Sequence, residues 1–440
     1  MSLTFSITNM LATIFILGAL IFIHEFGHFV VAKLVGIRVE VFSLGFGPRL
    51  FGRRRGHTDY RISALPLGGY VKMMGENPDD ELQGSPEEFQ SRSRLERFAV
   101  LVMGASLNIV LAVAIIAGIY IHGVPVAKYI EDPPVVGAVE KGSPAEKGGL
   151  EVMDRVLSVG DRETRTWNDL QLAVALNPGK RLPIRVMRGG AETTLTVTIG
   201  ETEREAMGRV GVQPYFSGVR LTSVDPQGAA ARAGLAEGDL VVTVAGLDVG
   251  SHLEAVSKAL FENHGAPVPI VVRRGAENVE KSVVPKGLDG GRSDPGLALA
   301  PESVLKKFGP AQAVVESVKL NWRSAGVLFA TLKKLFTGQL SPRTLSGPID
   351  IYKFTGEAWK GGVIAYFQFM AIISLQLGVI NLLPIPILDG GHIFILGLEG
   401  VMRRNLSTMV KERVMQVGLV LLLLLMGTVI SLDVYKNFIQ

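Results

Sequence analysis

The sequence contains no cysteine, and only 20% of its 440 residues are charged. The first absence excludes a disulfide framework and any zinc site built from cysteine. A chain with so few charges and 48% hydrophobic residues is too apolar for an ordinary soluble enzyme, yet it is too charged for a wholly embedded protein. The composition therefore predicts a membrane part joined to a water-exposed part.

Two further absences narrow the class of protein. No basic residue precedes Lys33, and no small-residue cleavage pattern follows the first apolar run. We therefore expect that run to remain as a membrane helix and not to be removed as a secretory signal. The net charge is only +4 and no basic stripe with interleaved aromatic residues is present, so no nucleic-acid partner is predicted.

Four apolar runs approach the roughly 20 residues that a transmembrane helix needs. The third run is longer than one span requires and is interrupted by Pro384 and Pro386. The runs cover approximately Thr8 to Val31, Phe98 to Ile121, Val363 to Leu398 and Val414 to Leu432. They predict a multi-pass α-helical membrane protein with four transmembrane helices.

Basic residues near the ends of these runs indicate the orientation of the chain. They cluster between the first and second runs and between the third and fourth runs, and the positive-inside rule places both loops in the cytoplasm. Both termini and the segment 122–362 are then predicted on the other side. The residues concerned are Lys33, Arg38, Arg53, Arg54, Arg55, Arg94 and Arg97 in the first loop, and Arg403, Arg404, Lys411 and Arg413 in the second.

The long segment contains an internal repeat. The stretch "GSPAEKGGLEVMDRVLSV" from Gly142 resembles "QGAAARAGLAEGDLVVTV" from Gln227, and "PIRVMRGG" from Pro183 resembles "PIVVRRGA" from Pro269. The two offsets are nearly equal, which indicates that one α+β domain has been duplicated. Both copies are similar to PDZ domains, which bind extended peptides at a sheet edge; the alternative is a pair of spacers.

The two copies differ at one turn position. Met153 stands in the first copy where the second has Gly238. The turn geometry of the first copy, and its ability to bind a peptide, are therefore less securely predicted than those of the second copy. Beyond the repeat, Ser303 to Phe336 reads as one or two amphipathic helices that either lie in the headgroup layer or pack on the protein.

The most informative motif lies inside the first apolar run. His24, Glu25 and His28 fit H-E-x-x-H, in which two histidines at i and i+4 share one helix face and can reach one zinc ion. Glu25 can sit beside a zinc-bound water and act as general base. The alternative is a pair of cavity-facing histidines with a carboxylate on an ion path. Ionisable groups at this depth are costly, which favours a metal.

A third ligand is missing from that helix, and the best donor follows the proline break. Asp389 is the favoured ligand, although a helix-capping role is open to it, and His392 on the same face competes for the position. Asn381 precedes the prolines and can hydrogen-bond a substrate backbone or carbonyl groups freed by the break.

These paired motifs resemble those of the site-2 proteases, zinc metalloproteases that cut within membranes. The resemblance is carried by His24-Glu25-x-x-His28 and by Asn381-x-x-Pro384-x-Pro386-x-x-Asp389-Gly390, and with the tandem repeat it covers essentially the whole chain. It implies one zinc ion held by His24, His28 and Asp389, with Glu25 as catalytic acid and base and Asn381 positioning substrate. Gly104 and Asn108 match the family's G-x-x-x-N pattern, although a close helix contact explains the glycine equally well.

The resemblance also implies a membrane-associated β-structure that pairs with an unwound substrate. The stretch "YRISALPLGGYVKM" from Tyr60 carries it, with Leu67, Gly68, Gly69 and Tyr70 as substrate-binding residues; the alternative is an ordinary cytoplasmic hairpin. The implied substrates are trimmed single-span membrane proteins, chiefly an anti-sigma factor, and remnant signal peptides. The implied location is the cell inner membrane, with both termini and the PDZ-like copies periplasmic, membrane lipid around the spans and possible peptide ligands on the copies.

The predicted organisation follows from these features. It comprises a first transmembrane helix (1–36), a cytoplasmic loop with β-structure (37–96), a second transmembrane helix (97–122), two PDZ-like domains (123–215 and 216–300), an amphipathic membrane-associated region (301–362), a third transmembrane segment (363–398), and a cytoplasmic loop with the fourth helix (399–440). Two other functions remain open on the residues alone, a membrane-anchored peptide-binding scaffold and a metal-ion transporter. Replacing Glu25 separates them, because only a protease depends on that proton carrier.

Overall fold

The computed structural model describes residues 6–76, 83–202, 206–250, 253–262, 265–287 and 293–439. The chain divides into two compact units. The membrane unit comprises Met1–Val124, Lys307–Lys333 and Leu345–Gln440. The duplicated unit comprises Pro125–Lys306 and Lys334–Thr344.

The described α-helices range from single turns to membrane length. They are α1 (Ile7–Leu34), α2 (Arg94–His122), α3 (Pro144–Lys147), α4 (Trp167–Ala175), α5 (Ala229–Arg232), α6 (Leu253–Phe261), α7 (Pro310–Phe336), α8 (Pro348–Lys360), α9 (Val363–Asn381), α10 (Asp389–Met402) and α11 (Thr408–Val434). Short 3-10 helices cover Phe89–Ser91, Lys128–Ile130 and Pro342–Thr344, and a π-helix covers Tyr435–Ile439.

The described strands fall into one hairpin in the membrane unit and a series in the duplicated unit. They are β1 (Val39–Arg55), β2 (Thr58–Met73), β3 (Val124–Ala127), β4 (Val136–Val139), β5 (Arg155–Val159), β6 (Arg162–Glu163), β7 (Arg181–Arg188), β8 (Ala191–Thr198), β9 (Gly200–Glu201), β10 (Gly208–Arg209), β11 (Val212–Pro214), β12 (Val219–Val224), β13 (Leu240–Val244), β14 (Leu247–Asp248), β15 (Val268–Arg274), β16 (Glu277–Val283), β17 (Lys286–Gly287), β18 (Ser293–Asp294), β19 (Leu297–Pro301) and β20 (Ser303–Lys306).

Four described helices have the length and apolar composition that crossing a bilayer requires, as the sequence predicted. They are α1, α2, α9 and the segment Met409–Phe438. Helix α2 begins at a capping box in which Ser93 and Glu96 satisfy each other's backbone N–H groups. Helix α9 ends at Asn381, and the chain does not become helical again until Asp389. The proline-interrupted third run is therefore two helices joined by a seven-residue loop.

Polar hydrogen bonds hold α1, α2 and α9 together inside the membrane unit. The hydroxyl of Tyr366 on α9 donates to the carbonyl of Ala12 on α1 at 2.7 Å. The hydroxyl of Ser374 on α9 donates to the carbonyl of Asn108 on α2, also at 2.7 Å. Such bonds, with small residues at the contacts, are how helices associate where lipid removes the hydrophobic driving force. The three helices that carry His24, Asn108 and Asn381 are thus joined around those residues.

The hairpin of β1 and β2 is bent so that it forms four sheet segments. Residues 39–44 of β1 pair with 69–73 of β2 on one side, and residues 41–44 pair with 59–62 on the other. Residues 49–55 then pair with 58–63. The resulting order is 69–73, 39–44, 59–62, 49–55. Residues 69–73 lie at one edge, and none of the described strands pairs with the outer side of that edge.

The duplicated unit contains two sheets of related topology with separate apolar cores. The first has the strand order β6-β5-β7-β8, and the second has the order β16-β15-β13-β12-β19 with β14 on β13. Met153 adopts φ +71°, close to the +88° of Gly238. The first copy therefore keeps the positive φ at this turn in spite of its side chain, and whether it binds a peptide stays a prediction.

Candidate metal centre

The H-E-x-x-H motif lies in the C-terminal part of α1. His24 and His28 are both buried, and their Nε2 atoms are 3.3 Å apart. This proximity follows from the helix itself, since residues four apart lie one above the other on the same face. Helix α1 therefore presents two imidazole nitrogens to one point.

The third group comes from the loop that ends α9. Pro384 and Pro386 lack the N–H groups that a helix needs, and Ile387 takes a positive φ of +82°. The chain then enters α10 at Asp389, whose Oδ2 lies 3.2 Å from Nε2 of His24 and 3.4 Å from Nε2 of His28. Leu388 is the N-cap residue and the cap has no side-chain hydrogen bond, so the Asp389 carboxylate faces the histidines and does not cap the helix.

The three ligand atoms form a nearly equilateral triangle, with edges of 3.2, 3.3 and 3.4 Å. A tetrahedral zinc ion with bonds of about 2.0–2.1 Å separates its ligand atoms by about 3.3 Å. Oδ2 of Asp389 is buried and accepts no hydrogen bond from the described residues. Nitrogen and carboxylate donors without cysteine suit zinc. The triangle, with a fourth position left to water or substrate, therefore fits a catalytic zinc site.

Outer contacts fix which ring nitrogens face the centre. Nδ1 of His28 lies 2.8 Å from the carbonyl oxygen of Val100, to which it donates, so Nε2 keeps its lone pair. Nδ1 of His24 lies 3.4 Å from the amide of Asn108 and 3.5 Å from that of Asn381. The structure places Nδ2 of Asn108 toward this nitrogen and leaves Oδ1 of Asn108 buried without a partner among the described residues. Turning the amide by 180° would let Oδ1 accept the proton of Nδ1 and would leave Nε2 of His24 with its lone pair.

Gly104 explains why α2 can approach the histidines. A Cβ atom at this position would lie 2.3 Å from Nε2 of His28 and 3.0 Å from Cε1 of His24. Any other residue would therefore displace both ligands. The G-x-x-x-N pattern accordingly has two roles in this geometry, clearance at Gly104 and a polar contact between the Asn108 amide and Nδ1 of His24.

A hydrogen bond ties Glu25 to the sheet. Its Oε2 accepts the backbone N–H of Val71 at 3.0 Å, which ties the carboxylate to the outer edge of residues 69–73. Oε1 has no such partner among the described residues. Glu25 therefore lies between the histidines of its own helix and the free edge of a strand.

The remaining predicted residues lie beside that edge or just outside the triangle. Gly68 and Gly69 are buried in β2 and Tyr70 is half-buried, while only the backbone of Leu67 is described. A Cβ on Gly68 would lie 2.8 Å from a ring carbon of Phe46. His392 lies outside the triangle and lines a cavity of about 430 Å³ together with Arg97, Glu399 and Lys411.

Sequence reasoning missed two backbone groups of the site, the carbonyl of Val100 and the N–H of Val71. Both are main-chain atoms, so the residue type at either position gives no signal. Only the way in which α2 and β2 pack against α1 brings these atoms to His28 and Glu25.

Comparison with known proteins agrees with this geometry. The protein-family model described as "Peptidase family M50" matches residues 12–425 of this chain. The chain belongs to this family, the site-2 proteases. It is accordingly a zinc metalloendopeptidase with zinc as cofactor.

Full-length relatives carry matching names. A putative zinc metalloprotease of Vibrio cholerae is 32% identical over 97% of this chain and 98% of its own length. The regulator of sigma-E protease RseP of Escherichia coli is 32% identical over 95% of this chain and 96% of its own length. A PDZ domain of an SdrC-like protein from Listeria monocytogenes is 26% identical over 20% of this chain and 94% of its own, with a TM-score of 0.18.

Proposed function

We propose that this site-2 protease cuts peptide bonds within the transmembrane segments of single-span proteins whose outer domains have already been trimmed. Its substrates are an anti-sigma factor of the envelope stress response and remnant signal peptides. Relatives named as regulators of sigma-E protease support this choice. The observation that carries the proposal is the buried triangle of His24, His28 and Asp389, with Glu25 beside it.

In this proposal His24, His28 and Asp389 hold the ion, and Asn108 and Val100 keep the two imidazoles in the correct tautomer. When bound, zinc supplies a Lewis acid that polarises the scissile carbonyl and lowers the pKa of a water molecule. Glu25 takes a proton from that water through Oε1 and delivers it to the leaving amine. The N–H of Val71 holds Oε2 and so keeps the carboxylate in position.

A transmembrane helix shields its own peptide bonds, because every carbonyl is hydrogen-bonded internally. The substrate must therefore be unwound, and the outer edge at Leu67, Gly68, Gly69 and Tyr70 offers replacement hydrogen bonds by strand addition. Every second residue of an edge strand directs its backbone N–H and C=O groups away from the sheet. Val71 is such a residue, and its outward N–H donates to Glu25. A substrate strand added there would run past the catalytic carboxylate. The amide of Asn381, at 3.5 Å from His24, positions its backbone.

The proposal includes an orientation in the cell inner membrane. Both termini and the PDZ-like copies lie in the periplasm, and the arginine-rich loops lie in the cytoplasm. The PDZ-like copies then exclude substrates that still carry a folded outer domain.

The direct test is Glu25→Gln in protein reconstituted in lipid nanodiscs with a fluorescent single-span substrate. We expect cleavage to fall by at least about 10²-fold, because the proton carrier is lost, while about one zinc per chain is retained. Glu87→Gln, at an exposed glutamate, is the matched control and should cleave normally. Cleavage by Glu25→Gln within a few-fold of the wild-type rate would refute the assignment.

A separate test addresses strand addition. Proline at each position from 67 to 72 removes one backbone N–H at a time. Where the N–H faces outward, we expect cleavage of the transmembrane substrate to be lost while bound zinc is kept. Survival of cleavage at all six positions would exclude pairing at this edge.

A further inference from the structure

The cavity of about 430 Å³ that His392 lines lies among three helices of the membrane unit. Its walls come from α2, α10 and α11 and from the segment that precedes α2. A volume of this size is within the range of small-molecule sites in proteins, about 300–1,000 Å³. The three groups of the metal triangle are not among the residues that line it, so this cavity is separate from the candidate metal centre.

One wall carries a buried arginine without a partner. Arg97 on α2 is only 9% exposed, its Nε is buried without a hydrogen bond, and its guanidinium forms no ion pair with any described residue. The buried carboxylate of Glu399 lines the same cavity, but its Oε1 already has Lys411 at 2.7 Å and accepts the Leu406 N–H at 2.9 Å. Two cations therefore share one carboxylate. A buried guanidinium without a counter-ion is costly, which favours an anionic ligand.

A second wall carries a charge of the opposite sign. Glu412, next to Lys411 on α11, is half-buried and lines the cavity. It forms no ion pair with Arg97 or with any other cation in the described part of the chain. The two charges are thus too far apart to neutralise each other directly. A ligand that bridges them must carry an anionic group and a cationic group.

The depth of the cavity indicates the kind of ligand. Arg97 and Lys411 are each the fourth residue of a helix, in helices of 29 and 27 residues. Such helices are about 40–44 Å long, which matches a bilayer together with its headgroup layers. Residues in the first turn therefore lie at headgroup depth. Leu101 and Met415, one turn further along the same two helices, also line the cavity and suit an acyl chain.

We propose that this cavity binds one phospholipid with an ethanolamine headgroup. The lipid phosphate accepts hydrogen bonds from the Arg97 guanidinium, whose planar donors match phosphate geometry, and the lipid ammonium donates to Glu412. Basic pockets between transmembrane helices bind lipid headgroups. Phosphatidylglycerol would satisfy Arg97 but would bring no cation to Glu412, and inorganic phosphate would also leave the apolar wall uncovered.

Native mass spectrometry of the full-length, zinc-loaded protein tests the site without cleavage, so the test is independent of the proposed function. The protein is freed of copurified lipid in detergent and titrated with phosphatidylethanolamine or with phosphatidylglycerol of identical acyl chains. We expect one phosphatidylethanolamine per chain, with a Kd at least about tenfold lower than that of phosphatidylglycerol, because only the ammonium makes a charge-assisted hydrogen bond to Glu412. Glycerophosphoethanolamine, the soluble headgroup alone, should bind at least about a hundredfold more weakly, because it buries no acyl chain.

Two variants separate the two ends of the headgroup. Arg97→Gln removes the phosphate donor and should weaken phosphatidylethanolamine binding at least about tenfold. Glu412→Gln removes only the partner of the ammonium, so it should bind both lipids equally. Arg413→Gln, at an exposed neighbour outside the cavity, is the matched control and should bind as the wild type does. The thermal unfolding midpoint verifies each fold, and Glu412→Gln decides the matter if Arg97→Gln does not fold.

Three outcomes would overturn the inference. Equal affinity of the wild type for both lipids would refute recognition of ethanolamine. Unchanged phosphatidylethanolamine binding in folded Arg97→Gln would exclude this cavity as the site. Soluble headgroup that binds as tightly as the lipid would make the occupant a water-soluble phosphoamine and not a membrane component.

Discussion

Aspartates of low exposure in the two units meet opposite surroundings. In the duplicated unit, Asp239 accepts two hydrogen bonds from the Arg274 guanidinium, at 2.8 and 2.6 Å, and one from the Ala236 N–H at 3.0 Å. Asp154 likewise accepts two hydrogen bonds from the Arg188 guanidinium, each 2.7 Å long, and one from the Glu151 N–H at 2.9 Å. In the membrane unit, Oδ2 of Asp389 faces two imidazole nitrogens and accepts no hydrogen bond from the part of the chain that the structure describes.

This contrast separates a carboxylate that has an arginine partner from one that is a candidate metal ligand. The Arg274 guanidinium holds the pKa of Asp239 below its ordinary value, and Asp239 in turn raises the pKa of Arg274. Here the chain supplies its own cation, so the pair is complete. The His24–His28–Asp389 triangle presents lone pairs without an internal cation, which is an arrangement that a metal ion completes.

The largest expected difference between the units is in zinc content. Asp389→Ala removes one of three ligands, and we expect bound zinc in the purified protein to fall from about one per chain to below about one tenth. His392→Ala, one turn further along α10, should keep the metal. Inductively coupled plasma mass spectrometry measures both. Loss of zinc in both variants would bring His392 into the ligand set.

Asp239→Ala should leave zinc unchanged but destabilise the second copy. The change removes the carboxylate that accepts from the Arg274 guanidinium and from the Ala236 N–H. Amide hydrogen exchange in β13 and β15 should therefore accelerate about tenfold or more. Glu277→Ala, on the exposed start of β16, is the surface control. Unaltered exchange in Asp239→Ala would show that the pair does not stabilise this copy.

Acid should weaken the second copy through the same pair. The folded pKa of Asp239 lies below the unfolded value of about 3.9, so the folded state binds fewer protons at this group. Its contribution is present above about pH 4 and is lost as the pH falls through the folded pKa. Hydrogen exchange in β13, corrected for intrinsic rates, should rise between pH 6 and pH 3. Asp239→Asn should remove that part of the pH dependence.

The smallest effect compares the two turns. Met153 holds φ +71° with a side chain that is 58% exposed, a conformation that glycine adopts without steric cost. Met153→Gly should stabilise the first copy by about 0.5–1 kcal/mol, and Gly238→Met should destabilise the second by a similar amount. The urea midpoint of each copy, followed by hydrogen exchange of its own amides, would measure both stability changes. Changes of the same sign in both copies would mean that the turns are not equivalent.

Much of the site was predictable from the sequence because its signals are local. A helical period places His24 beside His28, and two prolines in an apolar run indicate a break before Asp389. The joint geometry of these two segments could not be derived, since it depends on how α1, α2 and α9 pack. Gly104 illustrates the limit. The sequence suggested a close helix contact, but only the 2.3 Å approach to Nε2 of His28 shows what that contact accommodates.

The fold of the hairpin was less predictable. The family resemblance implied β-structure in the stretch from Tyr60. The double pairing of residues 41–44, with 59–62 on one side and 69–72 on the other, depends on bends and register shifts. Those shifts leave 69–73 at the edge and direct the Val71 N–H to Glu25. No residue type along β1 or β2 specifies that outcome by itself.

The division of the ligand set between two distant stretches has a consequence for biosynthesis. His24 and His28 leave the ribosome early, whereas Asp389 emerges only when most of the 440 residues have been translated. At that stage the nascent chain has its first span in the bilayer but carries only two of the three proposed metal ligands, so it cannot yet hydrolyse peptide bonds. If the proposed ligand set is right, newly made membrane neighbours are protected from it until Asp389 has been translated.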